Sequence, residues 1–263
     1  MSFVEVVRGE SPLVLGLPHT GTDLPDDVAA GLNQDGLALA DTDWHIHDLY
    51  DQLVPDITTV RTKFHRYVID VNRDPAGVSL YPGQNTTGLC PVTDFDGHPI
   101  YQQGLEPDPT EIESRRAAYH EPYHIALATE LDRVRSMHGF VILYDCHSIR
   151  SNIPFLFEGK LPDFNIGNYL GETCARSIEV AVTDICANAD GFSSVLNGRF
   201  KGGWTTRHYG RPKNGYHAIQ MELAQSTYLE AEQPPWTYAP QKAAAIREHL
   251  KTILLALIDA RPL

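Results

Sequence analysis

The chain has 263 residues, of which 42% are hydrophobic and 21% charged, and its formal net charge is −13 with histidine neutral. This composition is typical of a folded globular protein and excludes a chain that is mainly disordered. The acidic surface repels phosphate backbones and argues against a nucleic-acid partner, although a local arginine cluster can still bind a small anion.

Cysteine usage and the apolar segments bear on the location of the protein. The four cysteines are widely spaced and form no CxxC pair, which predicts a reduced protein rather than a disulfide scaffold. The start of the chain, MSFVEVVRGE, lacks the basic start and the long apolar core of a secretory signal. No apolar run approaches the roughly 20 residues that span a membrane. We therefore predict a cytoplasmic protein without a membrane partner.

Strand and helix patterns alternate from the start of the chain. The apolar run Leu13–Leu17 predicts a buried strand that feeds a polar turn. A short helix over PDDVAAGLN is followed by a second helix that begins near Asp41 or Asp43. The stretch 57–75 contains two strand-like pieces, and 81–101 is an extended loop rich in Gly, Pro and Asn. A loop of this length is usually functional or packed over a site.

The second half of the chain continues the alternation. Its predicted elements are a helix on either side of Pro122 that stops at Gly139, a strand over Phe140–Tyr144, a helix over 168–187, an alternating strand that starts at Tyr216 and an amphipathic helix over 238–260. Alternating strands and helices predict an α/β protein with an α/β/α layer arrangement. We found no repeat and no linker, so residues 1–263 are expected to form a single domain.

Polar groups directly follow three of the predicted strands. They are His19, the pair Asn72-Arg73, and the run Asp145-Cys146-His147. In open α/β sheets, ligands bind at the carboxyl ends of the strands. We therefore expect these groups to share one neighbourhood.

His19 and His147 suggest a metal site. A single loop histidine more often bonds to backbone, but two imidazoles at one sheet edge suit zinc, which takes nitrogen ligands plus a carboxylate and leaves a position for water. Asp43 is the predicted third ligand, although it could simply cap a helix. The rivals for that place are Asp23, His45 and His47.

The residues around His147 have separate interpretations. In an extended strand Asp145 and His147 share one face and Cys146 takes the other. Cys146 is therefore expected to be a packing residue, with a thiolate nucleophile as the alternative. Asp145 would orient an imidazole or cap a loop.

Glu222 lies in the alternating segment AIQMELAQ, on the same face as Gln220. A carboxylate in a half-buried strand is costly unless it has a partner or a role. The functional interpretation is a general base acting on metal-bound water, and the alternative is an exposed strand residue.

Arginines close to these segments point to an acidic ligand. Arg66 and Arg73 flank the run YVIDVN, and arginine binds carboxylates through two parallel hydrogen bonds. Further cations nearby in sequence are Arg150, Lys201, Arg207 and Arg211. We expect a small anionic substrate.

Several segments, specific only in combination, match one family. They are LPHTGTDLP, DTDWHIHDLYD, RYVIDVNRDP, TTGLCPVTDFDGHPIY, PYH, YDCHSIRS, DFNIGNYLGETC, FKGGWTTRHYG and AIQMEL. With them the chain resembles the N-formylglutamate amidohydrolases, the deformylases of histidine degradation. It is more distantly similar to zinc carboxypeptidases and aspartoacylase-type deacylases.

The resemblance implies a zinc-carboxypeptidase-like three-layer α/β/α sandwich with a central mixed sheet. It also implies hydrolysis of N-formyl-L-glutamate to formate and L-glutamate. The implied Zn²⁺ ligands are His19, Asp43 and His147, and the same set binds other divalent metals. The relatives carry the acidic ligand three residues after the first histidine, where this chain has Thr22. Asp43 is therefore the expected carboxylate and Asp23 the alternative.

The resemblance also implies roles for the remaining residues. Glu222 is the general base and Arg66 helps to stabilise the oxyanion, while Asn72 and Arg73 bind the substrate α-carboxylate. The side-chain carboxylate of the substrate is expected to bind a cation among Arg150, Lys201, Arg207 and Arg211. The alternatives are a zinc hydrolase for another N-acyl amino acid or peptide, a Cys146 hydrolase, and a non-enzymatic binder of acidic metabolites. The oligomeric state is not predicted.

Overall fold

A computed structural model of the protein describes residues 3–80 and 83–262. Within those residues one sheet contains seven strands in the order β1-β3-β2-β4-β7-β5-β6. The strands are β1 Val4–Val7, β2 Leu13–Leu17, β3 Thr58–Thr62, β4 Val141–Ile149, β5 Phe164–Gly167, β6 Ser194–Leu196 and β7 Tyr216–Ala224.

Eight α-helices surround this sheet in the described part of the chain. They are α1 Asp26–Gly31, α2 Gln34–Leu37, α3 Ile46–Tyr50, α4 Pro109–Arg115, α5 Glu121–His138, α6 Arg176–Ala187, α7 Trp204–Tyr209 and α8 Pro240–Asp259. A π-helical turn, Arg116–His120, joins α4 to α5, and Gly139 ends α5 with a φ of 80° in the left-handed region. None of the described helices is long and apolar enough to cross a membrane.

The sheet is mixed, as the family resemblance implies. β2 runs parallel to β3 and β4, and β4 runs parallel to β7, whereas β1 and β5 pair antiparallel with their neighbours. The β4–β7 register places His147 opposite Glu222. The carboxyl ends of the three parallel strands β2, β4 and β7 therefore meet at one edge.

The two faces of the sheet are covered by different helices. Val14, Val141 and Leu143 pack against Tyr123 and Leu127 of α5. Alternate side chains point the other way because successive strand residues face opposite sides of a sheet. The result is one apolar layer beneath α5.

The opposite layer holds the larger cluster. Leu15, Tyr144 and Ile219 pack with Ile178 of α6 and Ile246 of α8, and all five side chains are almost fully buried. Each buried Leu or Ile contributes about 1.5–3 kcal/mol of transfer free energy to this packing. Helices on both faces confirm the predicted three-layer α/β/α arrangement.

Some predicted boundaries are wrong. The strand predicted to end at Tyr144 continues to Ile149, because its polar residues find partners on one face while Cys146 enters the core on the other. The helix predicted to start near Asp41 or Asp43 starts at Ile46. The helix predicted over 168–187 is a 3₁₀ turn, Tyr169–Gly171, followed by α6.

The second strand predicted within 57–75 is not a strand. Residues 66–72 are buried, but the backbone there bonds to loops: Asp70 N–H donates to the Leu89 carbonyl, and the Val68 carbonyl accepts from Arg115 Nη1. Side chains and loops, rather than a neighbouring strand, satisfy the backbone of this apolar run.

The long loop predicted over 81–101 contains no helix or strand element in its described part, 83–101. Residues 81 and 82 lie outside the described residues. All four cysteines are buried free thiols.

Candidate metal centre and anion pocket

His19, Asp43 and His147 lie together at the carboxyl edge of the parallel strands. His19 follows β2, His147 lies in β4, and the backbone N–H of Asp43 donates to the His19 carbonyl at 3.0 Å. One potential ligand atom from each of the three lies within 4.8 Å of the others. Asp23, the alternative carboxylate, is exposed and forms a backbone bridge with Phe64 outside this cluster.

The facing atoms of this cluster suit a cation. Asp43 Oδ2 lies 3.7 Å from His19 Nδ1 and 3.3 Å from His147 Nδ1. His19 Nδ1 and Asp43 Oδ2 are both buried and have no hydrogen-bond partner. Buried polar atoms without partners are costly, and a divalent metal beside them would satisfy both. Two imidazole nitrogens and one carboxylate form a donor set that fits zinc and other divalent metals.

A carboxylate lies behind each imidazole. His19 Nε2 is 2.8 Å from Asp70 Oδ1, and His147 Nε2 is 3.1 Å from Asp145 Oδ1. Such contacts fix the ring orientation and direct Nδ1 towards a metal. Burial opposes a charged His147, but the charges and hydrogen bonds of Asp145 and Asp43 outweigh it and raise its pKa well above the usual value.

Asp70 is a site residue that the sequence analysis missed. Its Oδ2 lies 2.5 Å from Arg66 Nη2 and 3.4 Å from Arg73 Nη1, and its Oδ1 accepts from the Asn72 N–H at 2.9 Å. Burial alone would raise the pKa of Asp70, but the two arginines hold it well below its usual range. A signal was present, because a carboxylate within the apolar run YVIDVN requires partners just as Glu222 does.

The start of α7 braces two of these groups. Thr205 N–H donates to Asn72 Oδ1 at 2.9 Å, and Thr206 Oγ1 donates to Asp145 Oδ2 at 2.9 Å. The backbone at Gly203 approaches Asn72 so closely that an added Cβ would lie 2.3 Å from the Asn72 amide nitrogen. Glycine is therefore required at this position, which explains part of the motif FKGGWTTRHYG.

Glu222 lies in β7 opposite His147 and is 7% exposed, so the interpretation as an exposed strand residue is wrong. Gln220 Nε2 donates to Glu222 Oε2 at 3.2 Å, and Gln220 Oε1 accepts from the Gly203 N–H at 2.7 Å. Burial raises the pKa of Glu222 to about 8, against the opposing charge of His147. A carboxyl group with such a pKa can exchange a proton near neutral pH.

The same residues line one cavity of about 250 Å³. His19, Asp43, His147 and Glu222 form one part of its wall, and the loop residues 77–80 and 85–89 form another. Arg66, Asn72 and Arg73 also line the cavity. The Arg66 guanidinium also stacks over the Phe95 ring at 4.8 Å.

The predicted cations that follow Arg73 in the chain lie outside the cavity lining. Arg150 Nη2 donates to Asp96 Oδ2 at 2.7 Å, Arg207 stacks over Tyr169 at 4.2 Å, and Arg211 stacks over Tyr216 at 4.8 Å. Among the described residues that line the cavity, Arg150, Lys201, Arg207 and Arg211 are not found, whereas Arg199 is. The sequence analysis did not single out Arg199.

Cys146 lies on the other face of β4, in the cluster beneath α6 and α8. It is fully buried, and burial raises the pKa of its thiol well above the usual value. A nucleophilic cysteine needs the opposite, a lowered pKa and access to substrate. The geometry therefore favours the packing role.

Fold and site together define an α/β protein with a buried His-Asp-His cluster that could hold a metal ion, in a cavity that three arginines also line. The sequence pattern of N-formylglutamate amidohydrolases matches residues 11–229. The chain belongs to the N-formylglutamate amidohydrolase family, which confirms the resemblance and makes it a hydrolase of amide bonds. It is 46% identical over 253 residues to an N-formylglutamate deformylase of Pseudomonas putida, covering 95% of this chain and 94% of the relative. A Pseudomonas aeruginosa N-formylglutamate deformylase is 45% identical over 252 residues, with the same coverage of each chain.

Solved structures share the fold. The crystal structure of an N-formylglutamate amidohydrolase from Ralstonia eutropha superposes with a TM-score of 0.79 at 26% identity, covering 98% of both chains. A protein of Agrobacterium tumefaciens shares the fold with a TM-score of 0.72 at 19% identity, over 98% of this chain and 95% of that one.

Proposed function

We propose that the protein hydrolyses N-formyl-L-glutamate to formate and L-glutamate, using a divalent metal held by His19, Asp43 and His147. The observation that carries the proposal is the single cavity that those three residues share with Glu222 and with cationic side chains. The curated relatives bear the name of this activity over nearly the whole chain.

Zinc is the metal we propose, because two imidazoles and a carboxylate are a common zinc donor set. Bound there, zinc would polarise the formyl carbonyl and lower the pKa of a water molecule towards ~7. The residues behind the ligands keep them in place: Asp70 holds His19 and Asp145 holds His147.

Glu222 is the proposed general base. Gln220 holds its Oε2, so Oε1 is the oxygen that takes the proton from the attacking water. The same oxygen then returns the proton to the leaving amine, which becomes the amino group of L-glutamate. Burial raises the pKa of Glu222 to about 8, so the carboxyl group can hold the proton between the two transfers.

Arg66, Asn72 and Arg73 are the proposed substrate contacts. Arg66 adds positive charge beside the developing oxyanion. Asn72 and Arg73 would bind the α-carboxylate, since an amide and a guanidinium offer converging N–H donors. Arg73 is held by Thr87, whose carbonyl and hydroxyl both accept from it at 2.9 Å. Its orientation therefore does not depend on substrate.

The remaining expectations are part of the same proposal. The partner is a small anion rather than nucleic acid or a membrane, and the location is the cytoplasm. Residues 1–263 act as a single domain, which the continuous sheet and its two covered faces support.

The test is formate release by the purified protein from N-formyl-L-glutamate, N-formyl-L-alanine and N-acetyl-L-glutamate, with metal content measured by mass spectrometry. We expect a clear preference for N-formyl-L-glutamate and about one zinc per chain. Chelation should abolish formate release and added zinc should restore it. No formate release by the zinc-loaded protein would contradict the substrate, and full activity after metal removal would contradict the metal.

A further inference from the structure

The substrate proposed above carries two carboxylates, and the cavity must supply a cation for each. Three arginines line the cavity among the described residues: Arg66, Arg73 and Arg199. Arg66 and Arg73 both contact Oδ2 of Asp70, at 2.5 and 3.4 Å. A carboxylate of the protein therefore already offsets part of the charge at that end of the pocket.

Arg199 has a different setting. Its Nε donates to the Leu156 carbonyl at 3.2 Å, Nη2 lies 3.5 Å from the Asn85 carbonyl, and the guanidinium lies 5.5 Å from the centre of the Phe200 ring. Carbonyl oxygens and an aromatic ring orient the guanidinium at the cavity wall. Arg199 thus brings a positioned positive charge to the cavity wall.

The walls beside Arg199 suit a short aliphatic chain that ends in a polar group. Ile149, Leu156 and Phe200 supply apolar surface, and Asn85 and Thr86 supply polar groups. This is the chemistry of the glutamate side chain, whose methylene groups precede a carboxylate. A second anion position beside Arg199 would complement the one proposed at Asn72 and Arg73.

We propose that Arg199 binds the side-chain carboxylate of the substrate and sets the preference for an acidic side chain. The inference rests on the function proposed above and goes beyond it by naming the specificity residue. It also replaces Arg150, Lys201, Arg207 and Arg211 in that role. The α-carboxylate stays with Asn72 and Arg73, so the substrate spans the cavity from the metal centre to Arg199.

The test compares Arg199→Gln and Arg199→Lys with the unaltered enzyme on N-formyl-L-glutamate and N-formyl-L-glutamine. Loss of a charged, oriented contact should lower kcat/KM of Arg199→Gln for N-formyl-L-glutamate by about 100-fold, mainly through KM. For N-formyl-L-glutamine the same variant should stay within about 3-fold of the unaltered enzyme, since no carboxylate is then lost. Arg199→Lys should recover part of the preference for the acid.

A third substrate, N-formyl-L-isoglutamine, separates the two carboxylates because only its side-chain carboxylate is free. Arg199→Gln should still lose about 100-fold on it. If that loss vanished on isoglutamine and persisted on glutamine, Arg199 would bind the α-carboxylate and the proposal would be overturned.

Arg116→Ala is the control, since Arg116 pairs with the exposed Glu113 and is not among the residues that line the cavity. Equal loss on all substrates by Arg199→Gln, or the selective loss appearing in Arg150→Ala or Arg207→Ala instead, would overturn the proposal. In either case the unaltered enzyme would still cleave N-formyl-L-glutamate. Failure of that cleavage would instead contradict the proposed function itself.

Discussion

Oδ1 of Asp70 lies 2.8 Å from Nε2 of His19, and the other oxygen of the same carboxylate contacts Arg66 and Arg73. One buried carboxylate therefore orients a metal ligand and also positions two residues of the anion pocket. Asp70 links the metal centre to the anion pocket, and its replacement should affect both.

Asp70→Asn should weaken metal binding by about 10- to 100-fold, the usual effect of losing a carboxylate behind a histidine ligand. It should also lower the free energy of unfolding by about 3 kcal/mol, because Arg66 is left buried without its ion-pair partner. Chelator competition would measure the first effect, and urea unfolding of the metal-free protein would measure the second.

Asp74→Asn is the matched control for that change. Asp74 lies in the same loop and lines the cavity, but its Oδ1 accepts from the Ala76 N–H rather than from a histidine. It should bind metal as the unaltered protein does. Unchanged metal affinity in Asp70→Asn would show that His19 keeps its orientation without the carboxylate.

Glu222→Gln should lower kcat by about 10²- to 10⁴-fold while the metal content stays the same. The substitution keeps the size of the side chain and its place beside Gln220 but removes the proton acceptor. Steady-state kinetics and metal analysis on the same preparation would check both statements. Near-normal turnover with full metal occupancy would exclude Glu222 as the base.

The sequence could predict the position of those site residues that lie in regular strands. Asp145, His147 and Glu222 follow from alternation along β4 and β7, and the carboxyl ends of parallel strands do meet at the site. Asp43 was predicted against the rivals Asp23, His45 and His47, because a short loop rather than a regular element carries it to His19.

The misses fall where loops decide the geometry. Asp70 lies in an irregular buried segment that the pattern predicted as a strand. Its contacts to His19 and Arg66 therefore do not follow from hydrophobic periodicity along the sequence. Arg199 reaches the cavity through contacts with the Leu156 and Asn85 carbonyls, residues that are distant in sequence. Sequence spacing carries no information on such contacts, which explains why Arg150 and Arg207 were predicted in its place.

Cys146→Ala should retain deformylase activity within about 3-fold, because the thiol lies in the core on the face of β4 opposite His147. The smaller side chain should still cost about 1–2 kcal/mol of unfolding free energy through lost packing. Kinetics with and without a thiol reagent, together with urea unfolding, would measure both. Loss of activity in a fully folded, metal-loaded variant would revive the cysteine mechanism.

The surroundings of His124 predict that the free energy of unfolding depends on pH, independently of catalysis. Its Nε2 donates to the Val71 carbonyl at 2.8 Å, and its Nδ1 accepts from the Tyr209 hydroxyl at 3.1 Å. Burial, and then the neighbouring His120, lower the pKa of His124 to about 3. In the unfolded chain its pKa is about 6.5, so between these two values only the unfolded state binds the proton.

Acid therefore favours the unfolded state, and the stability that a neutral His124 provides is complete above pH ~6.5 and lost progressively as the pH falls towards ~3. From pH 7 to pH 5 the loss should be about 2 kcal/mol. His124→Gln removes the titrating ring but keeps a donor for the Val71 carbonyl, so its stability should fall less over that interval. His138→Gln, on the exposed part of the same helix, is the control and should keep the slope of the unaltered protein. Urea unfolding at both pH values would measure the difference. Parallel slopes for His124→Gln and the unaltered protein would contradict a neutral His124 in the folded state.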